Sequence, residues 1–158
     1  MRLILLAVLV AVVGTGIVVW ASGTHEGRIN TDASGVAIDG YDPVAYFTRG
    51  APVAGSADYA YQWDGVTWHF ASAEHRDRFI ADPEAYAPAY GGYCAWAVAE
   101  GKVAGINPEM WHIENGTLYL NYSARTNRRF LSDVSGNIAR AETNWPQIQS
   151  RLDADASK

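Results

Sequence analysis

Tyr59-Ala60-Tyr61-Gln62-Trp63-Asp64-Gly65-Val66-Thr67-Trp68-His69-Phe70-Ala71 is the stretch on which the fold turns. Asp64-Gly65 lies at its centre, and an Asp-Gly pair supplies the two positive-φ positions of a tight two-residue hairpin turn. Pairing outward from that turn sets Trp63 against Val66, Tyr61 against Trp68 and Tyr59 against Phe70. Side chains alternate along a strand, so these six share one face, and their bulk makes it the core face. Ala60, Gln62, Thr67 and His69 fall on the other. Asn115-Gly116 marks a second hairpin of the same kind. There Trp111 and Ile113 pair with Leu120 and Leu118 on a buried face. His112, Glu114, Thr117, Tyr119 and Asn121 take the opposite face.

Helix signals surround the hairpins. Ser72 is placed to cap a helix that runs to about Ala81, where Asp82-Pro83 ends it. Ser123 caps another, to about Asp133, and Gly136 breaks it. Asp42 caps a short helix to Phe47, with Pro43 at its first position. Gly35 to Ile38 reads as a short strand, and Glu84 to Ala87 as one helical turn. Gly91-Gly92 leads into a helix from Tyr93 that ends near Gly101, with Cys94 in its first turn. A last amphipathic helix begins near Asn137, and Pro146 divides or ends it. The expected class is α+β: two aromatic-rich β-hairpins packed with short helices, preceded by an N-terminal hydrophobic helix. The two hairpins look alike, but no internal repeat is read.

The chain has 158 residues, 49% hydrophobic and 18% charged, which places it outside the disordered class. Its net charge of −5 opposes phosphate backbones and counts against nucleic-acid binding. Arg125, Arg128 and Arg129 read as a solvated helix face. Leu3 to Ala21 carries no charge. As a helix it would span about 28 Å, close to a bilayer core of roughly 30 Å. Arg2 keeps the leading end inside, so the following domain is expected outside. Residues 1–22 are therefore a signal peptide or a transmembrane anchor, 23–34 a linker, and 35–152 the domain with its C-terminal helices. The protein is exported: a single-pass membrane protein held through residues 3–21, or periplasmic if cleaved before Ser22.

Gly40-Tyr41-Asp42-Pro43-Val44-Ala45-Tyr46-Phe47, then Phe70-Ala71-Ser72 with the helix to Phe79, and Tyr90-Gly91-Gly92-Tyr93-Cys94-Ala95 together resemble the YHS domain family, in its exported bacterial branch. The resemblance covers about residues 35 to 145. In metal-associated members, one cysteine follows Asp-Pro-Val, a second follows the hairpin aromatic and a third lies in the next helix. Here those positions hold Ala45, Ala71 and His75. The resemblance thus implies a YHS-like binding module in which only His75 keeps a ligand-type side chain.

Cys94 is the one cysteine, so no disulfide forms within the chain. A thiol at a helix N-terminus gains acidity from backbone N–H groups, which suits a metal ligand or a reactive thiol. A free cysteine is as readily a small core hydrophobe. His75 lies on the apolar side of its helix, one turn before Phe79, where a carbonyl-bonded core imidazole is the plain alternative. Cys94 with His75 would suit copper or zinc, or a thiolate–imidazole pair. Tyr41, Tyr46, Tyr93 and Trp96 are candidates for lining an apolar pocket. His69 and His112 read as surface groups, and Asp42 as a helix cap. Three functions follow: an exported binding module for copper or zinc handling, a thiol-dependent redox or accessory enzyme using Cys94, and an interaction domain without a ligand.

Overall fold

The structure is a computed structural model that describes residues 28–158. The expected N-terminal helix, its anchor or signal role and the first part of the linker lie outside the described residues. Among the described residues no helix is long and apolar enough to cross a membrane. The elements in chain order are α1 (Pro43–Thr48), β1 (Ser56–Trp63), β2 (Val66–Phe70), α2 (Ala73–Ala81), α3 (Ala95–Ala99), β3 (Asn107–Glu114), β4 (Thr117–Asn121), α4 (Ala124–Leu131) and α5 (Val134–Ala156). The fold is α+β, with two separate two-stranded antiparallel sheets, β1–β2 and β3–β4.

The order of elements repeats, which corrects the expectation of no internal repeat. Ser56–Trp63 and Val66–Phe70 recur as Asn107–Glu114 and Thr117–Asn121, each 51 residues further on. Both sheets have an irregularity at the same place, between Ser56 and Ala60 and between Asn107 and Trp111. Both turns have positive φ at both positions, Asp64-Gly65 and Asn115-Gly116. Ser72 and Ser123 cap the helices that follow, each accepting the backbone N–H three residues on. Phe79 and Phe130 are the fully buried phenylalanines of those helices. Upstream, three successive left-handed residues precede each short helix: Ile38-Asp39-Gly40 at φ 52, 50 and 82, and Tyr90-Gly91-Gly92 at φ 56, 59 and 76. Such a run is costly at a β-branched residue like Ile38, so its recurrence at Tyr90 marks a shared backbone path. The first unit thus runs from Ile38 to Ala81, the second from Tyr90 to Leu131.

Two cores result. The first gathers Val44, Tyr46, Trp68, Phe70, Phe79, Leu118 and Leu120. The second gathers Tyr90, Tyr93, Val98, Tyr119, Phe130, Ile148 and Leu152. Strand β4 lies between them: Leu118 and Leu120 enter the first core, and Tyr119 enters the second. The expected register of this hairpin holds, with Trp111 opposite Leu120 and Ile113 opposite Leu118. Its second face is not a solvent face, however, because α3, α4 and the Ala89–Gly92 segment cover it and bury Tyr119 and Asn121. In the first hairpin Trp63–Val66 and Tyr61–Trp68 pair as expected. Tyr59 does not reach Phe70: the irregularity sets Ser56 there instead, and Tyr59 is left 37% exposed.

Two boundaries also differ. Helix α5 runs unbroken from Val134 to Ala156, through Pro146. Gly136 sits in its first turn, where its N–H donates to the capping Asp133 Oδ1 at 3.0 Å. Packing outweighs the proline, since the Asn144 amide on the previous turn donates to both Val98 O and Ala99 O at 3.0 Å. The stretch read as linker belongs to the domain from Arg28 onward. Ile29 is buried in the first core, and the Asn30 N–H donates to Gly91 O at 2.8 Å. Gly91 permits this approach: a Cβ there would stand 2.0 Å from Arg28 O.

Candidate functional site

Asp42 does more than cap α1. It is wholly buried, and its carboxylate accepts four hydrogen bonds. Oδ1 accepts from Val44 N at 2.8 Å and Ala45 N at 3.3 Å, completing the cap. Oδ2 accepts from Ala71 N at 2.9 Å, at the end of β2, and from His75 Nδ1 of α2 at 2.5 Å. The other ring nitrogen, Nε2, lies 3.3 Å from Thr48 Oγ1 at the end of α1. That hydroxyl also donates to Val44 O at 3.0 Å. One carboxylate therefore ties together α1, β2 and α2. A buried charge is tolerated only when it is paired and bonded in this way.

Cys94 occupies the corresponding place in the second unit. It is the N-cap residue of α3, as Asp42 is of α1, and is wholly buried. Its Sγ accepts from Tyr122 N at 3.4 Å, the counterpart of Ala71 N reaching Asp42. The thiol donates to Asn121 Oδ1 at 3.6 Å. Asn121 Oδ1 in turn accepts Trp96 N at 3.1 Å, which supplies the cap that Asp42 gives Val44 in the first unit. Sulfur is a weak acceptor, and the Asn121 amide takes over the stronger bond. Its Nδ2 is held by Asn127 Oδ1 at 3.1 Å.

The equivalence explains why the two candidate ligands are not partners. His75 belongs to the network of the first unit and Cys94 to that of the second, and their hydrogen-bond partners do not overlap. The three positions marked by the family resemblance do converge, because Ala45 N, Ala71 N and the His75 ring all bond Asp42. Only an imidazole and an already four-fold bonded carboxylate stand there, a poor donor set for copper or zinc. Among the described residues no group of three or more His, Cys, Asp or Glu side chains is arranged to hold a metal ion.

The four aromatic candidates are divided in the same way. Tyr46 is buried in the first core, where its hydroxyl donates to Pro108 O at 2.9 Å and its ring meets Trp111 edge-on. Burial, reinforced by the charge of Glu109, pushes its phenol well above the ordinary range. Tyr41 packs against the same core. Tyr93 is buried in the second core, and Trp96 packs against it beneath the Arg129 guanidinium, 4.8 Å from the ring centre. His69 backs onto Gly55, where a Cβ would clash with its backbone. His112 pairs with Glu114 at 3.0 Å.

A cleft of about 480 Å³ lies elsewhere, at the join of the two units. Trp63 and Trp68 come from the first hairpin, Trp145 and Gln149 from α5, Pro88 from the chain before the left-handed segment and Gly91 from within it. Arg28 and Ile29 close one side, and Asp64 and Glu84 line it as well. Each wall is anchored in a core. Trp63 stands edge-on to Phe79 at 5.6 Å, and the Trp68 indole donates to Trp63 O at 3.1 Å. Trp145 rests on Tyr90 at 5.8 Å. Tyr90 donates to Glu142 Oε1 at 3.1 Å, and burial, with the Glu142 charge next, pushes its phenol well above its ordinary range. None of the four tyrosine and tryptophan candidates lines this cleft. Trp68 is a core residue as the sequence indicates, 1% exposed, and Trp63 packs against the same core while partly exposed. Trp145 carries no signal in the sequence, because only the folded chain brings the Asp64-Gly65 turn beside α5.

In comparison with known proteins, no family model, no curated protein and no solved structure matches the chain.

Proposed function

We propose that the protein is an exported, non-catalytic binding module of YHS-like type that takes a small organic ligand in the Trp63–Trp68–Trp145 cleft. The observation that carries this reading is the cleft's construction. Its volume lies within the roughly 300–1,000 Å³ of small-molecule sites, and its tryptophans are braced by both cores. Copper or zinc handling and thiol chemistry have less support, since the donor atoms of His75 and Cys94 are already bonded inside separate networks. The apolar run from Leu3 to Ala21 supports the exported address.

The test is a titration of the ¹⁵N-labelled protein with small organic compounds, followed through the indole N–H resonances. Shifts confined to Trp63, Trp68 and Trp145, lost in Trp145→Ala and kept in Cys94→Ser, are the expected result. Zinc or copper(I) binding that is lost in both His75→Gln and Cys94→Ser, with no organic ligand moving the three indoles, would overturn the proposal.

A further inference from the structure

Resting on that reading, we infer that the ligand is an organic cation, a quaternary or primary ammonium on a small apolar body. Three features of the cleft converge on this class. Two partly exposed indoles, Trp63 and Trp145, line it, and the face of tryptophan is the strongest aromatic partner for a cation. Its rim carries two carboxylates, Asp64 and Glu84. Neither makes a hydrogen bond or ion pair among the described residues, although Asp64 lies close enough to favour the charged form of Arg28. The cleft's own cation, Arg28, is already neutralised by Asp153, with contacts of 3.4 and 3.1 Å. The cleft therefore holds an excess of negative charge beside aromatic faces, and low-dielectric walls focus that field. An anion would meet two carboxylates, and a neutral ring would gain nothing from them. The molecule uses the same pairing on its surface, where Arg129 lies over Trp96.

The test compares three compounds of one shape and different charge: choline, its neutral isostere 3,3-dimethylbutan-1-ol, and the anion 3,3-dimethylbutanoate. The full chain is placed in phosphatidylglycerol nanodiscs, whose lipid carries no ammonium, and indole resonances are followed. Choline is expected to bind best and to shift Trp63, Trp68 and Trp145. Its affinity should fall roughly two- to fivefold in Asp64→Asn/Glu84→Gln, the range for exposed charge pairs, and fall further in Trp145→Ala. Asp64→Asn keeps a turn-forming pair, Asn-Gly, so the hairpin survives the change. Equal binding of the alcohol at the same three indoles would overturn the cation assignment and leave the cleft standing. Preference for the anion would do the same. If no compound of this set or of the wider panel moves these indoles, both the cleft and the cation assignment fall.

Discussion

The two units share a backbone and differ in the residue that caps their short helix. In the first, Asp42 satisfies the cap, the strand end and the imidazole of α2 alone. In the second, Cys94 satisfies only the strand end, and Asn121 supplies the cap. The requirement is the same in both, because a partly buried backbone N–H just past β2 or β4 needs an acceptor. A carboxylate meets it with charge and brings in His75. A thiol meets it weakly and brings in a neutral amide. Residues that look like chemistry in the sequence are thus two solutions to one packing problem.

Substitution at the two caps should separate the units most sharply. Asp42→Ala leaves His75 and three N–H groups without their acceptor and is expected to cost about 3–5 kcal/mol, since each donor left unsatisfied costs about 1–3 kcal/mol. Cys94→Ala removes one weak acceptor and one weak donor and should cost about 1 kcal/mol. Urea unfolding midpoints of the two variants measure the difference; equal losses would deny that Asp42 has the larger role. Gly91→Ala comes next. Its Cβ would collide with Arg28 O at a positive φ, so more than about 1 kcal/mol should be lost. The Arg28–Asn30 segment should also lift, exposing Arg28 to trypsin. Gly40→Ala, in the corresponding left-handed run of the first unit, meets no such backbone and should leave that segment in place.

The smallest effect is on alkaline stability, and it engages both cores. Burial raises the phenols of Tyr46 in the first core and Tyr90 in the second. Above the ordinary tyrosine value of about 10, the unfolded chain has lost protons that the folded chain keeps, so stability falls as pH rises. That contribution is intact below this value. Absorbance at 295 nm should show these two phenols ionising last, together with the loss of native structure. Early ionisation of either in the folded state would contradict its placement.

Much of the fold was legible because local chemistry fixes it. Asp64-Gly65 and Asn115-Gly116 set both hairpins, and Ser72 and Ser123 set the helices after them. The repeat is hard to read in the sequence because the units keep backbone requirements rather than side chains. Trp68 becomes Tyr119, Asp42 becomes Cys94 and Phe70 becomes Asn121, while mainly glycines, caps and one phenylalanine persist. Pro146 misled because the contacts of α5 with α3 are invisible to propensity. Residue type suggests pairing His75 with Cys94, but topology decides the partner, and it sets His75 against Asp42. The cleft was hidden for the same reason, its walls coming from residues as distant as Arg28 and Gln149.

The central claim is that Cys94 and His75 are packed parts of two equivalent networks and that ligands enter at the join. Iodoacetamide labelling of Cys94 across low urea concentrations tests it most directly. The account predicts no labelling of the native thiol, with a labelling rate that tracks unfolding of the whole domain. Labelling in water at the rate of an exposed thiol, without unfolding, would contradict it.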